Sequence, residues 1–297
     1  MDKLPLYYIN RSKNIFVSNL DTNLENNVTD RVFSLIKEPS FAYLFQCWDS
    51  TQNVLRYVKT YNLLKKHAHI EVTILCNTPE DVKTLTEIGF NCLFVHHNAF
   101  LDEYTFTIQK QTKKYNAIYT AQILPYKRIE LAACVKNLGL ITFVNSETCQ
   151  YPEYVNFIAS KKIGKILNPY RQIMPKEVAN FISQAKCGLI LSKEEGGNYA
   201  TTEYLLCGVP VISTQNIGGR NIFLNEKNSI FVNDSSFEIG NIVNNFNNLL
   251  YNPQSIRDNC LNVMYENRNR FYEHLEDKFG EDWDSEYKFV NKLIQWV

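Results

Sequence analysis

Short runs of apolar and β-branched residues alternate along this chain with segments whose apolar positions recur at helical spacing. Ile15–Val17, Phe41–Cys47, Glu71–Cys76, Cys92–His96, Ala117–Ala121, Leu140–Val144, Lys165–Leu167, Gly188–Leu191, Pro210–Ser213 and Ser229–Val232 read as strands. They alternate only weakly in polarity, which predicts sheets covered on both faces. Gln52–Lys66, Pro79–Ile88, Tyr126–Leu138, Glu153–Lys161, Pro175–Ala185, Tyr199–Cys207 and Phe237–Leu250 read as helices. Two of them carry clear start signals, Thr78-Pro79-Glu80-Asp81 and Met174-Pro175-Lys176-Glu177, with proline in the first turn and acids near the helix start. Regular β/α alternation implies doubly wound parallel sheets. The polar stretch Gln109–Lys114 has no apolar period and suggests a boundary, giving domains at 1–112 and 113–274. After about residue 252 the strands stop. Ser255–Phe271 reads as a helix, and Trp283–Val297 as a final amphipathic one within a tail at 275–297.

Composition narrows the possible functions. The 297 residues carry 31 basic and 31 acidic side chains, a formal net charge of zero. No global basic field favours nucleic acid. Basic pairs such as Lys65-Lys66, Lys113-Lys114 and Lys161-Lys162 read as solvated faces. The eight cysteines form no CxxC pair, and several sit in apolar runs, as free thiols do in a reducing compartment. No apolar run approaches the ~20 residues that span a bilayer, and Met1–Pro5 lacks a signal-peptide design. A cytoplasmic location is the expectation, with membrane association at most peripheral.

The chemistry concentrates in Lys186–Thr214. A buried strand enters a glycine turn, then a helix, then a glycine stop and the next strand. Gly196 and Gly197 remove Cβ atoms where a ligand would approach the backbone. Asn198 is a suitable N-cap, and the free N–H groups from Gly197 to Tyr199 favour an anion such as a diphosphate. Glu195 and Glu203 bracket that turn, Glu203 lying roughly 7 Å along the helix at 1.5 Å per residue. Carboxylates at that separation suit two different sets of hydroxyls, one on each side of a diphosphate.

This segment resembles the core motif of family 4 retaining glycosyltransferases with the GT-B fold: a Glu, seven residues, a second Glu, then Gly-x-Pro-Val-Ile. Glu195, Glu203 and Gly208-Val209-Pro210-Val211-Ile212 stand in that register. The resemblance implies two Rossmann-like βα domains with parallel sheets facing a cleft, an acceptor domain and then a donor domain, and a C-terminal helix crossing back to the first. It implies Glu195 on the donor sugar and Glu203 on the ribose. Ala121 to Lys127 resembles the family's Gly-Arg-Leu-x-x-x-Lys strand end, with Lys127 on the leaving diphosphate. Gln122 stands where the family has arginine, so Arg128 or Arg220 is considered as a replacement cation. Asn216–Arg220 resembles the later Gly-Gly turn, with Gly218 and Gly219 approaching sugar and diphosphate; Leu167–Arg171 resembles the nucleobase loop, with Tyr170 able to stack on a base.

The first ninety residues are shorter than the family's acceptor domain and lack its glycine-rich loop. His96, His97 and Asp49 follow strands and are the acceptor-side candidates; His67 and His69 read as core or surface. The family implies transfer from a nucleotide-diphosphate sugar, with uridine as the base by family frequency, to a glycan, lipid-linked or small-molecule acceptor. Neither a cofactor nor a metal is expected. The rival reading is a non-catalytic, transferase-like subunit that binds a nucleotide sugar.

Overall fold

The computed structural model describes residues 6–20, 27–142, 148–169 and 171–284. The chain divides into two compact units, one of residues 1–101 with 263–297 and one of residues 102–262. The first division lies before the expected 112/113 boundary because Asp102–Phe106 is tied into the second unit. Arg257 there donates to the carbonyls of Glu103, Phe106 and Leu206 at 2.7, 2.5 and 2.5 Å.

The first unit is a five-stranded sheet in the order β1-β2-β3-β4-β5. β2 (Ile15–Asn19), β3 (Ser40–Phe45), β4 (Ile70–Cys76) and β5 (Asn91–Phe94) are parallel, and β1 (Tyr7–Asn10) pairs antiparallel with β2 at the edge. Helices α1 (Val28–Phe33), α2 (Val54–Leu64) and α3 (Pro79–Ile88) cover one face. Phe33, Tyr57, Leu64 and Leu85 pack there on Phe16, Leu44 and Ile74 of the sheet. α3 starts as its sequence requires: the Thr78 hydroxyl accepts from the Asp81 N–H at 3.0 Å. Helix α8 (Pro253–Phe279) begins in the second unit and belongs to the first from Val263 onward. Its Phe271 and Leu275 fill the other face against Val17, Tyr43 and Phe45. The expected break near residue 274 does not occur, because that apolar stripe continues the helix past it.

The second unit holds six parallel strands in the order β11-β10-β9-β6-β7-β8. They are β6 (Tyr115–Thr120), β7 (Leu138–Ile141), β8 (Lys165–Ile166), β9 (Ala185–Ile190), β10 (Val211–Thr214) and β11 (Ser229–Val232). Numbered within the unit this is the 3-2-1-4-5-6 order of a doubly wound dinucleotide-binding sheet, and its crossover lies between β6 and β9. One face carries α4 (Pro152–Lys161) and α7 (Ser236–Asn244), whose Ile158, Ile239 and Val243 join Ala117, Cys187, Leu189 and Ile212. Because side chains alternate along a strand, Gly188 and Ile190 point to the opposite face, where α5 (Pro175–Ser183) and α6 (Tyr199–Leu206) lie.

Two expected helices are broken. Tyr126–Leu138 is instead two 3-10 turns, Pro125–Lys127 and Ile129–Ala132, parted by Arg128 in the left-handed region at φ 53°. Bonds from other elements, described below, hold this turn and displace the helical ladder. Phe237–Leu250 ends as α7 at Asn244, and a 3-10 turn at Asn248–Leu250 follows, its start capped by the Asn247 side chain. The expected helix over Trp283–Val297 and the position of Val144 lie mostly or wholly outside the described residues. The eight cysteines are free thiols. Among the described residues, no helix is long and apolar enough to cross a membrane.

Gly188 is required by α6. The buried Tyr204 ring passes beneath it, and its hydroxyl accepts from the Thr120 N–H at 2.7 Å, joining α6 to β6 across β9. A Cβ on Gly188 would lie 2.1 Å from the ring. Gly188→Ala is therefore expected to destabilise the protein by at least ~2 kcal/mol through overpacking. Urea unfolding would show this as a lowered midpoint; an unchanged midpoint would contradict the packing described.

Candidate functional site

In an open parallel sheet, the loops at the carboxyl ends of the strands gather where the strand order reverses. Here that edge carries the turn after β6 with Lys127, the turn after β9 with Glu195, and the loop after β10 with Gly218. Backbone bonds join the three. Lys193 N donates to the Tyr126 carbonyl at 3.0 Å, Ile217 N to the Lys193 carbonyl at 3.1 Å, and Glu195 N to the Ile217 carbonyl at 3.0 Å. Gly218 makes the last contact possible. At φ 112°, a Cβ there would stand 2.2 Å from the Glu195 carbonyl oxygen, so only glycine fits.

Lys127 and Glu195 meet as an ion pair on Glu195 Oε1, with both side chains largely buried. The Tyr119 hydroxyl donates to the Lys127 carbonyl and fixes the turn that carries the lysine. Asn198 Nδ2 donates to the same Glu195 oxygen at 2.9 Å, while Asn198 Oδ1 accepts from the Thr201 N–H at 2.9 Å. Asn198 is thus the expected N-cap of α6 and, beyond that, a clamp on Glu195. Gly196 is buried, Gly197 part-buried and Tyr199 exposed.

The two arginines considered as replacement cations have other duties. Arg128 Nε donates to the Leu191 carbonyl at 2.7 Å, and its Nη atoms reach Asp234 at 2.5 Å and Thr214 Oγ1 at 2.8 Å. It ties the ends of β9 and β10 together. Arg220 is fully buried and donates to Ser192 Oγ and O and to Ser213 Oγ and Thr214 O, at 2.6 to 3.1 Å. Burial pushes its pKa down to about 10, against the pull of nearby Glu195. Gln122 is part-buried beside this edge, and Gly219 opens the 3-10 turn Gly219–Phe223 that carries Arg220.

Glu203 is in a different setting. Burial alone pushes its carboxyl up to about 7, and among the described residues no hydrogen bond or ion pair meets it. A cavity of about 660 Å³ opens further along the same edge, between α4 and the ends of β7 and β8, lined by Ile123, Leu140, Thr142, Ile158, Pro169 and Arg171 among others. Thr142 is 6% exposed, and among the described residues its hydroxyl has no partner. Tyr170, the expected stacking residue, lies outside the described residues.

Known structures share this architecture at low identity. A sucrose-phosphate synthase from Thermosynechococcus elongatus superposes with a TM-score of 0.59 at 14% identity, over 96% of this chain and 74% of its own. Anabaena HepE in complex with UDP-glucose gives 0.55 at 12% identity, over 91% and 76%. The N-terminal domain of a Candida albicans trehalose-6-phosphate phosphatase gives 0.55 at 13% identity, over 91% and 73%. The architecture is GT-B. No protein-family model matches the sequence, and neither does any curated protein. One of these GT-B neighbours is part of a phosphatase, so the reaction has to be argued from the site.

The acceptor-side candidates fall at the strand ends of the first unit and are bonded within it. His96 is fully buried, and its Nδ1 accepts from the Asn98 N–H at 3.1 Å. His97 Nδ1 lies 3.2 Å from the Gln46 carbonyl. Asp49 Oδ1 accepts from Thr51 Oγ1 at 2.5 Å and from the Gln52 N–H at 3.0 Å. The sequence reading missed Tyr119 and Asn198 as supports of the pair; the Asn198 cap signal was legible, but the contact with Glu195 was not.

Glu203 yields a pH test. Its folded-state pKa, about 7, exceeds the ordinary 4.5, so between these values the folded chain holds a proton that the unfolded chain has released. Stability therefore falls as pH rises through that window. Glu203→Gln is expected to gain on the wild type by on the order of 2 kcal/mol between pH 4.5 and 7.5. Paired thermal melts across that range would show the widening gap; a constant gap would rule out a high-titrating Glu203.

Proposed function

We propose that the chain is a glycosyltransferase that moves a sugar from a nucleotide-diphosphate donor to an acceptor hydroxyl with retention of configuration. The observation that carries this reading is the Lys127–Glu195 pair, clamped by Asn198 at the crossover of a doubly wound sheet. The donor would lie along the carboxyl edge of the second unit. From β8 through β7 and β6 to β9 is three strand spacings, about 14 Å. The base would occupy the cavity at Thr142, the diphosphate would face Lys127 and the N–H groups of Gly197 to Tyr199, and the sugar would meet Glu195. Glu203 would bind ribose hydroxyls, which would satisfy a carboxyl that has no partner among the described residues.

Catalysis on this reading is electrostatic. The diphosphate draws Lys127 away from Glu195, whose freed oxygens accept from sugar hydroxyls. As the bond between the anomeric carbon and the phosphate oxygen breaks, Lys127 and the helix N–H groups stabilise the charge on the leaving group. The acceptor oxygen bonds to the same face of that carbon, and its proton passes to the departing phosphate oxygen. HepE is known in complex with UDP-glucose, which makes a uridine diphosphate sugar the first donor to test.

One observation favours a second reading. Gln122 replaces a cation, and Arg128 and Arg220 are spent on internal bonds, so phosphate charge would fall chiefly on Lys127. A donor-binding subunit without turnover would tolerate that. Thermal melts with UDP, GDP and ADP sugars, followed by assays of donor hydrolysis, separate the readings. A donor at 100 times its dissociation constant stabilises by about 2.7 kcal/mol. Lys127→Ala is expected to weaken donor binding at least about tenfold, the loss of a charge-assisted contact, and Glu195→Ala to abolish turnover while the nucleotide still binds. Binding without hydrolysis or transfer by the wild type would favour the subunit; no stabilisation by any donor would overturn both readings.

A further inference from the structure

Helix α2 of the first unit presents a one-sided charge to solvent. Arg56, Lys59, Lys65 and Lys66 are all exposed, and no acidic residue occurs from Gln52 through Ile70. At about 100° per residue, Leu55, Lys59 and Asn62 share an outward stripe opposite Tyr57, Thr60 and Leu64, which are buried. Leu55 is 76% exposed and Val54 39% exposed, so the stripe opens on an apolar end. Lys65 and Lys66 close the helix, where cations suit its dipole; Arg56 sits in the first turn, where a cation opposes it. Leucine and arginine are both good helix formers, so it is the exposure of Leu55 and Val54 beside like charges, not their presence in a helix, that marks this face.

The neighbouring helices do not cancel this charge. Exposed Arg31 belongs to α1, and Leu35 just beyond that helix is 78% exposed. Asp30 is bonded to His67 at 2.8 Å. Asp81 is buried and holds the Ser50 and Thr78 hydroxyls at 2.6 and 2.8 Å. Among the described residues, Glu38, Glu80 and Glu87 are the exposed acids of the layer, against Lys37 and Lys83 in addition to the cations already named.

We infer that this face docks on an anionic lipid surface, with the α2 cations over the headgroups and Val54 and Leu55 entering the interfacial layer. Exposed aliphatic side chains have no use against a phosphodiester backbone. Beside cations they match the interface of an anionic membrane, which offers charge outside and hydrocarbon beneath. The inference does not draw on the transfer reaction and stands apart from it.

Co-sedimentation with lipid vesicles tests it on the intact protein. Binding is expected to phosphatidylcholine vesicles containing phosphatidylserine and not to phosphatidylcholine alone, with the attraction weakened between ~0.1 M and ~0.5 M salt as screening sets in. Each cation near such a surface contributes about fivefold in partitioning, so Lys59→Gln with Lys66→Gln should lower binding about 25-fold. Leu55→Ser should lower it at both salt concentrations. All three side chains are exposed, so circular dichroism and thermal melts of the variants should match the wild type. Equal binding to neutral vesicles, or full binding by the double variant, would overturn the inference. So would capture of a single-stranded oligonucleotide that matches vesicle binding in strength and ignores Leu55→Ser, the signature of an indifferent polyanion surface.

Discussion

Lys127 and Glu195 lie far apart in the sequence and are brought together by one topological fact: β9 pairs with β6, and both strands end at the same edge. Everything around the pair serves to hold it there. Tyr119 fixes the turn of Lys127 from within the sheet, Asn198 holds Glu195 from the helix, and Gly218 lets the loop after β10 close on the Glu195 backbone. A largely buried ion pair is a weak source of stability, since desolvation offsets most of its attraction. Breaking it by removing one partner is the larger effect, because a charge is then left unpaired. That asymmetry suits a site: a ligand whose anion pairs with Lys127 and whose hydroxyls donate to Glu195 can enter without leaving either charge stranded.

The sequence revealed this half of the molecule well wherever local patterns decide structure. The strand-to-helix run from Lys186 to Thr214 carries its own punctuation, with glycines at the turn, Asn198 at the cap and Gly208 at the stop. What stayed hidden depends on bonds between distant residues. The segment after β6 has helical spacing, yet its carbonyls are claimed by Tyr119 and Lys193 and its Arg128 reaches across to β9, β10 and Asp234. Arg220 looks like a phosphate ligand in sequence, but in the fold it is a buried brace between Ser192 and Thr214. Charge type was legible; whether a charge faces a ligand or the interior was not.

The first unit shows the same limit from the other side. Its strands and helices follow the apolar pattern, save two short elements: β1, a four-residue edge strand made by antiparallel pairing with β2, and α1, a six-residue helix too short to show a helical period. Its charges, read in a line, are scattered lysines and arginines in a neutral chain. Winding α2 turns Tyr57, Thr60 and Leu64 inward and leaves its cations on the solvent side with Leu55. A one-sided field is therefore a product of the fold, invisible to net charge because the acids lie elsewhere.

The two glutamates of the motif test how far spacing can be trusted. Spacing puts Glu195 in the turn before α6 and Glu203 a little over one turn into it, but it does not say which carboxyl finds a partner. The fold makes them opposites. Glu195 accepts from both Lys127 and Asn198, while Glu203 is half-buried on α6, with desolvation as the sole cause of its raised pKa. A half-buried carboxyl with no partner among the described residues works against stability, and glutamine would fill the same space. Proteins retain such local violations chiefly at functional sites. On the donor reading, hydroxyls that arrive with the ligand supply the missing donors. Glu195 would then exchange one partner for another, whereas Glu203 would gain partners it did not have, and ligand binding would draw Glu203 into its charged form.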